Sequence, residues 1–324
     1  MQIYILQPYT IRMIRKVVKQ GSGTLVVSLP ANWTRQVDLK KGDDVLIEVH
    51  NGRVIISKDL QPKKRHTIIQ LRHQSESAIR TTVVNAYRAG FDSIEIRFAP
   101  DSHEVQYTCI ASAIKNYTIG FEFTKRDSKL CILENITEPA SEQFDVLLRK
   151  LFFNISLLID GTQNRLRETS KFAEYADITL KIHQFDNFCR RVLSKYRPGE
   201  SNNPLLWTFL GIIVHGQREL YHLNRFLDKN PTQCKDTHLL DKLRTIFNLL
   251  VDGYIKKDIA TLEQLHTLEK SAIYSDAYKL LQKHTGNSSI VTYHTASAIK
   301  HFYLASSPLM GALMIENMDQ APNI

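Results

Sequence analysis

The stretch at residues 15–58, RKVVKQGSGTLVVSLPANWTRQVDLKKGDDVLIEVHNGRVIISK, leaves this chain few ways to fold. Two runs rich in β-branched residues, 15–19 and 24–29, flank Gln20-Gly21-Ser22-Gly23, a turn where glycine takes positive φ at little steric cost. Pro30 stands where a helix can begin, because its fixed φ suits a first turn and its missing N–H would lack a partner there anyway. Residues 31–37 then read as a short helix anchored by Trp33, and Lys41-Gly42-Asp43-Asp44 turns the chain into a strand at 45–50. In that strand Val45, Ile47 and Val49 alternate with Leu46, Glu48 and His50. Asn51-Gly52 is the residue pair that a two-residue I′ hairpin demands, and 53–57 is the returning strand. A module of about 45 residues buries too little surface to be stable without a staple or a partner. It holds no cysteine and no metal-ligand spacing, so the staple it offers is a second copy of itself.

Charge is concentrated in the same region. The chain carries a formal net charge of +9, and residues 1–65 hold twelve Lys and Arg against five acids, which places +7 of that total there. A localised positive field attracts phosphate backbones through counterion release. An acidic membrane surface or an acidic partner is drawn to it equally.

Three segments, RKVVKQGSGTLVVSLPANW, LKKGDDVLIEV and NGRVIISK, together resemble the AbrB/SpoVT family of swapped-hairpin DNA-binding domains. The resemblance implies that two chains interleave into one small β-barrel and present basic residues to double-stranded DNA. The residues it points to are Arg15, Lys16 and Lys19 on the first strand, Arg35 on the short helix, and Lys40 and Lys41 at the turn. Arginine is the base reader of such a set, because its fork matches guanine edges, while lysine adds salt-dependent affinity. A hairpin module that only dimerises satisfies the same pattern.

The 324 residues suggest two or three domains, and the expected fold class is multidomain α+β. After the module at 13–58, residues 59–65 (DLQPKKR) read as a basic linker. Residues 66–137 follow the order βαβαββ, a small α/β sandwich with helices covering one sheet: strands at 66–71, 92–98, 118–124 and 129–134, and helices at 75–89 and 102–116. Ser75 is the expected N-cap of the first helix and Gly90 its stop. From 138 to 316 the pattern is helical, with candidates at 140–168, 170–196, 203–229, 236–256, 258–284 and 288–315. Short connections marked by Arg197-Pro198-Gly199, Lys229-Asn230-Pro231 and Thr285-Gly286-Asn287 suggest two three-helix units packed together. The four scattered cysteines read as reduced thiols, no run is apolar enough to insert in a membrane, and the first residues lack the order of a signal peptide. A cytoplasmic protein is expected, with Met13 an alternative to Met1 as its start.

A strand-rich basic module, an α/β segment and six helices in that order resemble the archaeal PhoU-domain regulators. NAYRAGFDSIEIRF and TIGFEFTKRDSKLCILENITEP carry that likeness in the middle segment, although Lys125 and Arg126 stand where the family usually has acids. The resemblance implies a link to phosphate uptake, with the bundle as sensor or partner-docking domain. Its implied partners are a phosphate ABC transporter or the transporter's signalling kinase. It also implies a signalling adaptor as the alternative, in which the N-terminal module only dimerises. Bundles of this type hold zinc or iron through acids four apart on helices. At the aligned positions this chain has His183 with Asp186 and His215 with Glu219, and helical spacing puts each pair on one face. A His-and-carboxylate set suits zinc or iron. Against it, residues 288–315 contain no carboxylate, and losing the family's acids argues for losing the metal. No glycine-rich phosphate loop, nucleophile–base pairing or H-E-x-x-H motif is present, so no enzyme is expected.

Overall fold

The computed structural model describes residues 13–50, 53–58, 64–72, 75–100, 102–137, 143–168, 171–195, 202–234 and 237–320. The chain divides into two units, Met1–Lys63 and Lys64–Ile324.

In the first unit β1 (Val18–Gln20) and β2 (Thr24–Val26) form an antiparallel pair, with Val18 opposite Val26 and Lys19 opposite Leu25. Gly21 makes the turn at φ 70°. The strands are shorter than the β-branched runs that foreshadow them. Pro30, extended at φ −64° and ψ 124°, leads into α1 (Ala31–Gln36), and Asp38 just beyond it is left-handed at φ 49°. β3 (Leu46–His50) and β4 (Arg53–Ser57) pair antiparallel, Ile47 facing Ile56 and Val49 facing Val54. His50 lies opposite Arg53, the register that a two-residue loop at 51–52 requires. That turn and linker residues 59–63 lie outside the described residues, as do residues 1–12 and the break at 197–199. No described residue of this unit is buried.

The second unit opens with β5 (His66–Gln70), α2 (Glu76–Arg88), β6 (Ser93–Arg97), α3 (His103–Tyr117), β7 (Phe121–Arg126) and β8 (Leu130–Asn135). The order is the βαβαββ of the sequence reading. The sheet runs β5-β6-β8-β7, with only β5 and β6 parallel. Alternation along β6 and β8 buries Ile94, Ile96, Cys131 and Leu133 against Ile79, Val83 and Tyr87 of α2 and Ile110 and Ile114 of α3. The Ser75 hydroxyl accepts from Ala78 N at 3.3 Å, as an N-cap does. Gly120 turns the chain into β7 at φ 79°, and a Cβ there would stand 1.8 Å from the Thr137 carbonyl oxygen. Gly120→Ala is therefore expected to cost about 2–4 kcal/mol, read as a lower thermal midpoint. An unchanged melt would show that this turn relaxes freely.

The helices are α4 (Phe144–Glu168), α5 (Tyr175–Lys195), α6 (Asn203–Lys229), α7 (His238–Lys256), α8 (Ile259–Lys270), α9 (Tyr278–Lys283) and α10 (Asn287–Gln320). A π-helical stretch, Ser271–Ala277, joins α8 to α9 where the sequence suggests one uninterrupted helix. One continuous apolar core runs through α4 to α10. Its centre is α10, which packs most extensively on α6 and also meets α7, α8 and α9. Gly216 permits the close approach of α6 and α10, since a Cβ at that position would lie 2.6 Å from the Phe302 ring. The α/β segment and the helices belong to one unit because α5 packs against α2 and α3. Among the described residues no helix is long and apolar enough to cross a membrane, and no disulfide forms.

Candidate nucleic-acid interface and the arginine seam

In the first unit Arg15, Lys16, Lys19, Arg35, Lys40 and Lys41 are all exposed. Arg35 folds back on its own helix: Nε donates to the Ala31 carbonyl at 3.2 Å and Nη2 to Asn32 Oδ1 at 2.6 Å. The turn at 40–43 is closed by Asp43, whose carboxylate accepts from Lys40 N at 2.9 Å and lies 3.4 Å from Lys58 Nζ. That backbone bond, ahead of the Lys58 charge, holds the Asp43 carboxyl below its usual range. Lys40 Nζ stands 3.3 Å from Asp38, an exposed pair that costs a phosphate little to displace. Arg15, Lys16, Lys19 and Lys41 make no ion pair among the described residues. The structure thus leaves four cations open and holds two, Arg35 and Lys40, in local contacts.

Beside these charges lies apolar surface with no cover in the single chain. Leu25 is 71% exposed, Val49 70% and Val54 61%. Val49 and Val54 share one face of the β3–β4 hairpin with Ile47 and Ile56. Strand residues of this kind are stable in water only when a second surface covers them.

The four candidate metal ligands lie in the helical unit. Asp186 of α5 is fully buried; its Oδ1 accepts from Arg190 Nε at 2.8 Å and its Oδ2 from Arg88 Nη2 at 3.1 Å. Glu219 of α6 pairs with His294 Nδ1 of α10 at 2.9 Å. His183, half-buried, has its ring 5.7 Å from that of Tyr117, and burial followed by the charges of Arg218, Arg88, Arg80 and His215 pushes it down to about 4. His215 is exposed and stacked 6.1 Å from His301, and partial desolvation followed by the charges of Arg218, His301 and Arg190 lowers it. Among the described residues no three His, Cys, Asp or Glu side chains come together to hold a metal ion. The donor set expected for zinc or iron does not fit: both Asp186 oxygens are taken by guanidinium groups, and the imidazoles sit in a cationic field.

What the sequence reading missed is the seam that these arginines build between α5 and the α/β layer. Arg191, 1% exposed, donates from Nη1 to the carbonyls of Tyr87 at 3.1 Å and Phe91 at 2.8 Å, and from Nη2 to Asp92 Oδ1 at 3.2 Å. Lys195 also pairs with Asp92. Arg88 Nε donates to Asn187 Oδ1 at 2.7 Å, and Asn187 Nδ2 to the Tyr117 carbonyl at 2.7 Å. The available signal was Asp186-x-x-x-Arg190 at helical spacing, followed at once by Arg191, with the arginine pair set between the apolar Cys189 and Val192.

A family model described as antidote-toxin recognition MazE, bacterial antitoxin, matches residues 18–67. The match takes in Lys19, Arg35, Lys40 and Lys41, leaves Arg15 and Lys16 just outside, and supports the swapped-hairpin reading of the N-terminal module. No curated protein and no solved structure matches the chain. The matched domain is compatible with DNA binding and with dimerisation, the two properties that the open cations and the uncovered hairpin faces each call for.

Proposed function

We propose that this chain is a DNA-binding transcriptional regulator that dimerises through its N-terminal module. The observation that carries the reading is the coincidence, on residues 13–58, of uncovered apolar hairpin faces with unpaired cations. A second copy covers the former, and a phosphate backbone neutralises the latter. Two-fold symmetry suits a palindromic site. In this reading Arg15 and Arg35 face base edges, and Lys16, Lys19, Lys40 and Lys41 face phosphates. Arg35 gives up its contact with Asn32 when it does so.

The second unit serves as sensor or partner-docking domain. A link to phosphate uptake, with a phosphate transporter or its signalling kinase as partner, follows from the resemblance of the element order to the PhoU-domain regulators, and the scattered cysteines suit a place in the reducing cytoplasm. No catalytic role is proposed. Light scattering on the full chain should give twice the 37.3 kDa of one copy. Binding to genomic fragments should be selective and weaken steeply with salt. A monomer, or binding that ignores both sequence and salt, sinks the proposal. A dimer without selective binding moves the function to the adaptor reading, in which the module only dimerises.

A further inference from the structure

The place where a metal was expected is built for the opposite charge. We infer that the surface along α5, flanked by α2 and α3 on one side and by α6 with its neighbour α10 on the other, and bearing Arg80, His183, His215 and Arg218, binds a small phosphate-bearing anion, either inorganic phosphate or a nucleotide. The site gives the proposed sensor unit a ligand class. It rests on that reading only for the role of the ligand, not for its binding.

The groups converge from separate elements. Tyr117, at the end of α3, carries the Arg80 guanidinium of α2 over its ring at 5.6 Å, and the His183 ring of α5 lies 5.7 Å away. His215 and Arg218 stand three residues apart on α6, with His301 of α10 stacked 6.1 Å from His215. Arg218 is exposed and makes no ion pair among the described residues. A Cβ at Gly211 of α6 would lie 3.3 Å from Arg190 Nη2 of α5, and from that level His215 and Arg218 follow one and two turns along α6 while Asp186 and His183 precede Arg190 on the neighbouring α5. Behind this front, Arg88 and Arg190 add two more positive charges.

The acids do not balance them. Asp186 divides its two oxygens between Arg88 and Arg190, and Glu219 is held by His294. Glu76 lies one turn before Arg80 on α2. Four arginines therefore face one fully committed carboxylate and two peripheral ones. Arg190 is fixed further by lying over the Trp207 ring at 4.8 Å, so the cationic wall exists before any ligand arrives. Guanidinium forks match phosphate oxygens bidentately, and fixed positive charges cost no reorganisation when the anion binds.

Calorimetric titration of the full chain tests this, with inorganic phosphate and ATP as separate probes at about 0.15 M salt, where surface attraction is screened. Arg218→Ala and Arg80→Ala should each weaken binding at least about tenfold, Arg218→Lys should weaken it less, and Arg149→Ala on α4 should leave it unchanged. Arg218 is exposed, so its variants are expected to fold; matching thermal melts check this. Binding of phosphate itself identifies a free-phosphate site, and binding of ATP alone identifies a nucleotide site. If neither probe binds, or if the Arg218 and Arg80 variants bind as the parent does, the inference is overturned. Phosphate binding that survives alongside absent DNA selectivity refutes the regulator reading and leaves this site standing.

Discussion

Asp186→Ala is expected to cost about 3–5 kcal/mol of unfolding free energy, because it leaves buried guanidinium charge without its counterion. The Arg190 side chain is 7% exposed and that of Arg88 26%, while the carboxylate between them is fully buried. Water cannot take over what the carboxylate does. For a unit of this size the loss should lower the melting midpoint by about 6 °C or more. Chemical denaturation of the purified chain measures it directly. A loss below about 1 kcal/mol would show that the arginines swing out to solvent and that the seam is a surface contact. The companion variant Asp186→Leu with Arg88→Met and Arg190→Met should recover much of the lost stability, since replacing a whole buried ionic cluster by apolar groups is often neutral.

The second large effect concerns DNA. Combining Arg15→Ala, Lys16→Ala and Lys19→Ala removes three exposed cations from one strand region without touching a buried group. Each side chain is present twice in the dimer; if Lys16 and Lys19 each meet one phosphate, four contacts are lost, the slope of log K against log salt becomes shallower by about 3.6, and affinity near 0.1 M salt falls about a thousandfold or more. Arg15→Ala alone should also flatten discrimination between sites if that side chain reads a base, by about 1–3 kcal/mol per base pair contacted. An unchanged salt slope in the triple variant would place the DNA contact elsewhere. Dimerisation should be unaffected in all of these variants, because the apolar faces of the β3–β4 hairpin are left intact.

Much of the fold was legible because its signals are local. Alternation marks β6 and β8, Ser75 and Gly90 bracket α2, and Lys229-Asn230-Pro231 ends α6. The pair Asn51-Gly52 implied the register that His50 and Arg53 adopt. What escaped was either non-local or unpatterned. Arg88 and Asp186 meet across 98 positions, and nothing within either segment names the other. The core position of α10 has no amphipathic period to announce it, since small and apolar residues occur all round the helix. The π-helical stretch leaves the apolar spacing of its neighbours too little changed to read. For the candidate site the sequence placed the histidines and acids on suitable helical faces, but could not show that arginines from α2 and from α5 itself would claim the shared carboxylate. That claim turns an expected metal site into a cationic one.

The seam also sets an order of assembly during synthesis. Arg88 and Asp92 leave the ribosome about a hundred residues before Asp186, Arg191 and Lys195, which at ordinary elongation rates is about 5–20 s. Through that interval the α/β layer carries its half of the seam hydrated, with the α5-facing surfaces of α2 and α3 uncovered. Its two helices can close over the sheet early, but they gain their outer neighbour only when α5 arrives. A ribosome-stalled chain ending near residue 137 should accordingly be more open to protease than one that extends past α5.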